Sequence, residues 1–444
     1  MLKNIKIEAL IVFVLLLNIF VSYNLDLGFY NYFSYFKDTL QQVYLKKFFL
    51  KINTLGDSLW YFVFSVFFII FYYFFNDNKK IIFFSKSLKN FRNLNIFLFF
   101  SVLISGLITQ IIKHIVGRPR PNFGNIDESY GLKFLTLDSN FHSFPSGHTS
   151  TIFAVALVLS LGLPKLKYVF LFLAGIVSFS RVVLGAHFIT DIIGGAVVAF
   201  IGFKITIYFL SRYFKIEKDS VLKTNDFFVS IIFALFIISV FLAIGSTFDI
   251  YFGGLFYLGE NQFLVQSLYK ISIFFRKIVL LVVLLYVLVL PIISIFFPIG
   301  KIYFSHNFSI KEILYIWTTN IFSLLVFINL ILKNFWGRVR PNEILELGGK
   351  NHFTPWYEIS NQCSSNCSFV SGDAAVGFSL VVFYFLIKKE VYLHMALLFG
   401  FSIGAIRIMA GGHFLSDIIL SGFFVFIINY LIYQYYRKNY HDKI

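Results

Sequence analysis

Charge is scarce in this chain. Of its 444 residues only 14% are Asp, Glu, Lys or Arg, against about a quarter in soluble domains. Cysteine is scarcer still. Cys363 and Cys367 stand alone, too few for a zinc pattern of their own. No helix-turn-helix, zinc-finger or RNA-binding signature accompanies the net charge of +16, so nucleic acid is not the expected partner. No small-residue cleavage site follows the first apolar run, 9–21, which has Lys3 and Lys6 ahead of it. That segment reads as an uncleaved signal anchor.

What fills the chain is apolar. Hydrophobic residues make up 58%, with 62 Phe and 26 Tyr. Such a composition excludes a set of soluble domains and predicts an all-α polytopic membrane protein. A spanning helix needs about 20 predominantly apolar residues. On that rule spans fall near 7–25, 58–75, 95–116, 147–161, 167–183 and 188–210, and again near 227–245, 278–297, 313–335, 371–387, 391–409 and 414–433. The expectation is about twelve transmembrane helices, arranged as two tandem six-helix bundles. The first domain is 1–210, the basic linker 211–226 and the second domain 227–444. Segments 26–55 and 246–277 look like interfacial amphipathic helices.

Basic residues in short loops orient such helices, and they also attract anionic lipid phosphates. The clearest inner segment is 76–94, with Lys79, Lys80, Lys86, Lys89 and Arg92. With it inside, the ends of the third and fifth spans and the starts of the fourth and sixth face outward. For a bacterial inner membrane that is the periplasmic side.

Every polar cluster of note falls at those outer ends. One is Lys113-His114-Ile115-Val116-Gly117-Arg118-Pro119-Arg120-Pro121, a second Phe144-Pro145-Ser146-Gly147-His148-Thr149, and a third runs from Ser180 to Asp191. Lys113, Arg120 and Arg181 supply three cations, and an arginine fork matches phosphate bidentately. Ser146 and Gly147 open a helix, whose free N–H groups favour an anion. His187 and Asp191 are four residues apart, hence on one helix face. The carboxylate can orient the imidazole and leave its other nitrogen as a nucleophile. His148 is suited to protonate a leaving alcohol. These are the parts for hydrolysis of a phosphoester through a phosphohistidine. Neither a metal nor another cofactor is required, since the cations stabilise the transferring phosphoryl group.

The pattern K-x6-RP, PSGH and SR-x5-H-x3-D, here Lys113…Arg120-Pro121, Pro145–His148 and Ser180-Arg181…His187…Asp191, resembles the type-2 phosphatidic acid phosphatase and vanadium haloperoxidase superfamily. The resemblance implies a six-helix bundle for each half. Lys113, Arg120, Ser146, Gly147 and Arg181 would bind phosphate, His187 would be the nucleophile, Asp191 its partner and His148 the acid. The expected partner is a phosphorylated lipid in the membrane, either a phospholipid or a lipid A-like molecule.

The second half repeats the first. Lys113 and Lys333 are 220 apart, as are Arg120 and Arg340; Ser146 and Ser371 are 225 apart; Arg181 and Arg407, His187 and His413, Asp191 and Asp417 are each 226 apart. So small a drift points to tandem duplication. The second copy reads Lys333…Arg340-Pro341, then Val370-Ser371-Gly372-Asp373, then Arg407…His413…Asp417. Asp373 stands where the acid histidine is expected. Either its pKa is raised so that it donates a proton, or the half is a degenerate copy that binds phosphate or simply packs. The run from Cys363 to Gly372 resembles the second motif of some bacterial lipid A 1-phosphatases, where an acidic residue follows Ser-Gly. Cys363 and Cys367 lie on the expected outer face, where they can pair in an oxidising compartment or remain two thiols. Competing functions are a lipid phosphotransferase using the same phosphohistidine and a lipid transporter built on two repeats.

Overall fold

The computed structural model describes Asp26, Gly28, Phe29, Tyr32 and residues 40–76, 85–123, 132–221, 227–260, 262–267, 269–289, 291–293 and 308–437. The expected first span, 7–25, lies outside these residues. The chain divides into two compact units, Met1–Ser230 and Ile231–Ile444.

In the first unit the helices are α1 (Leu40–Ile52), α2 (Ser58–Asn76), α3 (Ser85–Val116), α4 (Gly147–Gly162), α5 (Lys167–Val183) and α6 (Ile189–Tyr213). Local chemistry sets their ends. Val116 closes α3 because Gly117 turns back at φ +56°, and its N–H bonds to the Lys113 carbonyl at 3.0 Å. A Cβ on Gly117 would fall 1.7 Å from the Lys133 carbonyl oxygen, so only glycine fits this left-handed stop. Ser146 caps α4 by accepting from the Thr149 N–H. Asp191, in the first turn of α6, accepts from the Phe188 N–H at 2.9 Å, satisfying a donor that the helix itself leaves open.

Burial against lipid gives helices no hydrophobic reason to associate, so small residues that allow close approach carry the packing. Along α6 that role falls to glycines. A Cβ on Gly195 would meet the Ser146 carbonyl oxygen at 2.6 Å and Thr149 Cβ at 2.8 Å, and one on Gly202 would meet Ser105 Oγ at 2.3 Å. Helix α6 therefore lies against both α3 and α4. Phe97, Val102, Ala154, Val158, Ala199 and Phe203 fill the space between them. This three-helix contact brings the three polar clusters to one end of the bundle.

The second unit contains α7 (Phe227–Ile244), α8 (Thr247–Gly254), a two-stranded hairpin of β1 (Tyr257–Gly259) and β2 (Gln262–Phe263), α9 (Tyr269–Leu284), α10 (Ile310–Phe335), α11 (Gly372–Phe378), α12 (Val381–Ile387), α13 (Glu390–Met409) and α14 (Leu415–Tyr436). The expected amphipathic segment 246–277 thus includes a hairpin rather than one helix.

Among the described residues six helices are long and apolar enough to cross a membrane, or up to eight if each bent pair is one span. The expected span 58–75 belongs to the pair Gln42–Gly56 and Ser58–Phe74, bent by 45°, and 227–245 to a pair bent by 96°. Segment 371–387 divides into α11 and α12. Helix α4 has 16 residues, short of the length that crosses unaided. Segment 278–297 passes out of the described residues.

The packing on α6 gives a test. Gly195→Leu should destabilise the protein by about 1–3 kcal/mol through overpacking, read as a lower thermal midpoint in detergent. Gly175→Leu on α5, where nothing lies within 4 Å of the added carbon, should leave the midpoint unchanged.

Candidate active site

The buried polar framework of the first unit centres on Arg118, whose side chain is 7% exposed. Its Nη1 donates to Asp191 Oδ1 at 2.7 Å and to Thr190 Oγ1 at 2.6 Å. Its Nη2 donates to Asp26 Oδ2 at 2.9 Å. The guanidinium also lies over the Phe188 ring, 4.2 Å from its centroid, a favourable cation–π placement. Burial works against the charge, but Asp191 and Asp26 outweigh it and raise the Arg118 pKa above its ordinary value. Asp26 in turn accepts from the Thr190 N–H at 3.1 Å.

Asp191 is fully buried and heavily engaged. Besides Arg118 it accepts from Ser143 Oγ at 2.5 Å and from the Phe188 N–H. Its Oδ2 lies 3.5 Å from His187 Nδ1, a longer approach than a good hydrogen bond. The carboxylate thus sits behind the imidazole, and Nε2 is the nitrogen turned away from it. Burial lowers the His187 pKa to about 4, with Asp191 opposing. At neutral pH the ring is uncharged and keeps a lone pair.

In front of His187 is a cavity of about 380 Å³ whose polar lining includes Asp57, Lys113, Arg120, His148, Arg181 and His187, with Gly147 beside them and apolar residues of α2 and α3 on another side. The motif residues among these come from the end of α3 and the turn after it, the start of α4, the end of α5 and the turn into α6. Lys113 Nζ donates to the His142 carbonyl at 2.8 Å, Arg120 Nε to the Ser139 carbonyl at 3.2 Å, and Arg181 Nη1 to Asn53 Oδ1 at 2.9 Å. His148 Nε2 lies 2.9 Å from Asp57 Oδ1. Two expected site residues are not on the cavity wall. Ser146 is buried as the helix cap, and Asp191 is buried behind His187. Three cations and a helix start around this cavity form an anion site.

The second unit repeats the buried framework. Arg338 donates to Asp417 Oδ1 at 2.6 Å, to Asp249 Oδ2 at 2.9 Å and to Ser416 Oγ at 2.9 Å. Ser368 Oγ donates to Asp417 at 2.6 Å, and His413 Nδ1 lies 3.6 Å from it. Burial lowers the His413 pKa to about 4 as well, again with Asp417 opposing. Ser371 caps α11, and a Cβ on Gly372 would meet Lys333 Cε at 3.4 Å. The front of the site differs. Asp373 Oδ2 lies 3.2 Å from Arg407 Nε. Asn366 accepts from Lys333 Nζ through its side chain at 3.2 Å and from Arg340 Nη2 through its carbonyl at 2.9 Å. Asn366 stands in the loop closed by a Cys363–Cys367 disulfide, whose Cα atoms are 5.8 Å apart.

The sequence matches the PAP2 superfamily over residues 95–215 and 314–441, more than half of the chain. The chain belongs to the PAP2 superfamily. Over 119 residues it is 40% identical to a lipid A 4'-phosphatase of Francisella tularensis subsp. novicida, covering 26% of this chain and 54% of that protein. Over 99 residues it is 34% identical to a lipid A 1-phosphatase of Rhizobium johnstonii, covering 22% and 41%. The chain therefore spans about half the length of the curated relatives it matches. A PAP2-type phosphatidylglycerolphosphate phosphatase of Bacillus subtilis, solved as a crystal structure, aligns with a TM-score of 0.33 at 20% identity, over 48% of this chain and 98% of that one.

Both PAP2 matches begin after the carboxylates that anchor the buried arginines. Asp26 and Asp249 lie outside the matched ranges, as do Asn53 and Asp57. None of the four stands in a motif. One signal was available for the first pair: Asp26 and Asp249 are 223 residues apart, within the 220–226 offset of the repeated motifs.

Two outcomes follow from this PAP2 framework. Removing one partner of a buried ion pair strands the other. Arg118→Ala should therefore cost about 3–5 kcal/mol, seen as a large fall in thermal midpoint in detergent. The two buried histidines bind a proton less readily folded than unfolded, since their pKa falls from 6.5 to about 4. Their contribution to stability is thus complete above pH 6.5 and lost as pH falls toward 4. The midpoint should decline across that window, and His187→Gln combined with His413→Gln should flatten the decline.

Proposed function

We propose that this protein is an integral membrane lipid phosphatase whose chemistry resides in the first unit. The observation that carries the reading is the single cavity that gathers Lys113, Arg120, Gly147, His148, Arg181 and His187. Lys113, Arg120 and Arg181 hold the phosphate with the Gly147 N–H at the start of α4. Ser146 shapes that helix start as its cap. His187 Nε2 attacks phosphorus, and the bond to the lipid oxygen breaks as His148 gives that oxygen a proton. A phosphohistidine and a lipid alcohol result. Water then attacks the phosphohistidine, His148 takes the proton from it, and inorganic phosphate leaves. Asp191 holds the imidazole and steadies the positive charge it gains during attack.

The substrate is a lipid phosphate or pyrophosphate, with a lipid A-like molecule favoured by the named activities of the relatives. Phosphatidic acid, phosphatidylglycerol phosphate and undecaprenyl pyrophosphate are the other members of the class to assay. The full chain, on this reading, is two six-span domains, 1–210 and 227–444, joined by 211–226. Its sites open on the periplasmic side of a bacterial inner membrane. The clustering of cavity residues at one end of the bundle supports a single-faced site.

A specific observation favours a non-catalytic second unit. Asp373 stands at the acid position and faces Arg407 at 3.2 Å. Paired with a guanidinium, a carboxyl serves as an acceptor rather than as a proton donor. That pairing also occupies one of the cradle cations. His413, Asp417, Lys333, Arg340, Ser371 and Gly372 then form a phosphate-binding or purely structural copy.

Phosphate release from lipid A, phosphatidic acid, phosphatidylglycerol phosphate and undecaprenyl pyrophosphate in detergent micelles tests both points. His187→Ala should lower turnover of every accepted substrate by at least about 1000-fold, while His413→Ala retains at least half of wild-type turnover. Full activity in His187→Ala would sink the assignment, and loss in His413→Ala alone would move the chemistry to the second unit.

A further inference from the structure

The three motifs do not supply the whole cavity wall: besides residues of α2 and of α3 before Lys113, it includes Gly56 and Asp57. Residues Asn53–Gly56 form a 3-10 turn between α1 and α2, followed by Asp57. The turn is fixed by its own hydrogen bonds. Tyr61 Oη donates to the Leu55 carbonyl at 2.7 Å, Thr54 Oγ1 to the Lys51 carbonyl at 2.8 Å, and the Asp57 N–H to the Thr54 carbonyl at 3.1 Å. Its side chains reach two motifs. Asn53 Oδ1 accepts from Arg181 Nη1 at 2.9 Å, and Asp57 Oδ1 lies 2.9 Å from His148 Nε2. Between them Gly56 lies flat against the imidazole. A Cβ there would fall 2.6 Å from His148 Cδ2 and 2.7 Å from its Cβ, so a side chain would push the ring off the carboxylate.

Charge gives this contact a purpose. Burial is the largest influence against a proton on His148; among the described residues the charged groups acting on it are Arg181 from α5, Asp57, Lys113 from α3 and Arg120 from the turn after α3. His187, from the turn into α6, lines the same cavity. Three cations suit a phosphate but oppose a proton on the imidazole beside them, and a nearby carboxylate favours it. Asp57 is the one acid in that set. The duplicate is informative here. At an offset of 220–226 the counterpart of Asp57 would fall at 277–283, where there is no Asp or Glu. In that unit the acid histidine is itself replaced by Asp373. The carboxylate before the second span and the histidine it serves are missing together.

We propose that Asn53–Asp57 is a fourth element of the first site, with Asp57 the positioning residue that holds the His148 ring oriented for the leaving oxygen and favours its protonated form against the cations around it. Asn53 aims Arg181 into the cavity in the same way. With Nε2–H committed to Asp57, the proton delivered to the lipid oxygen leaves from Nδ1, and the neutral ring left behind accepts the proton of the attacking water. The assignment rests on the phosphatase reading above for its reaction step, but the state of His148 can be read without catalysis.

The test uses the full chain in detergent, with the histidine rings labelled for NMR and the His148 signal identified by its loss in His148→Gln. Asp57→Asn should move the His148 titration midpoint down by at least about one pH unit, a tenfold loss of proton affinity, and Asp57→Glu should restore most of it. With lipid A bisphosphate in micelles, Asp57→Asn should lower kcat by roughly 10–100-fold, with KM changed by less than about threefold. The alkaline limb of its pH profile should move down by the same shift. An unchanged His148 midpoint in Asp57→Asn overturns the proposal whatever happens to turnover. A wild type that releases no phosphate from any lipid overturns the phosphatase reading instead, and the NMR shift still decides whether Asp57 governs His148.

Discussion

A guanidinium buried between two carboxylates is the constraint on which each unit depends. Arg118 and Arg338 are charges with almost no water around them, and such charges are tolerated only when paired and fully hydrogen-bonded. Each arginine spends its donors on an aspartate at the start of the last helix, Asp191 or Asp417, and on one from before the second expected span, Asp26 or Asp249. The pairing ties the turn after the third expected span to the start of the last. It also decides how Asp191 is placed, and His187 stands 3.5 Å from that carboxylate. The setting of His187 thus depends on an arginine that does not line the cavity.

The rest of the bundle makes that pairing possible. Apolar helices in lipid gain little from mutual burial, so contact must come from fit. Gly195 lets α6 settle on the carbonyl of Ser146, and the Ser146 N–H bonds to the Asp191 carbonyl at 2.9 Å. The second motif and the third are thus joined by backbone, not by the side chains that define them. Ser143, one turn earlier, adds its hydroxyl to Asp191. The chemistry at the front of the site rests on a back wall made of caps, small residues and one ion-paired arginine.

Much of the front wall was legible in the sequence because its residues are local. Lys113 to Arg120, Ser146 to His148 and Arg181 to Asp191 are short patterns whose spacing fixes which groups share a helix face. The third cluster even carries its own cap, since Asp191 bonds back to Phe188. The long-range contacts were less legible. Asp26 meets Arg118 across 92 residues and Asp57 meets His148 across 91; the 223-residue offset marks Asp26 and Asp249 as a repeated pair, but a lone aspartate before an apolar run does not name its partner. The sequence points to Ser146 as a phosphate ligand, whereas its burial and its bond from the Thr149 N–H make it the helix cap. Hydropathy located the apolar segments but not their continuity. It could not see that residues 42–74 bend at Gly56 or that 371–387 divides at Ser379, because a change of direction costs no hydrophobicity.

The duplicate separates the buried framework from the groups that face the cavity. The arginine-to-aspartate distances are 2.7 and 2.9 Å in the first unit and 2.6 and 2.9 Å in the second. The serine contacts are 2.5 and 2.6 Å, and the histidine contacts 3.5 and 3.6 Å. At the cavity end the units diverge, with Asp373 for His148 and no acid where Asp57 would have its counterpart. A buried framework resists change in either copy, since losing Asp417 would strand Arg338 in a dry interior whether or not the site turns over. The His413–Asp417 pair is therefore weak evidence of activity, however faithfully it repeats His187–Asp191. The stronger indicators are groups that folding does not demand. His148 and the half-exposed Asp57 beside it can be lost at little cost to stability, so their presence in the first unit, against Asp373 and no counterpart acid in the second, is a difference that folding alone does not explain.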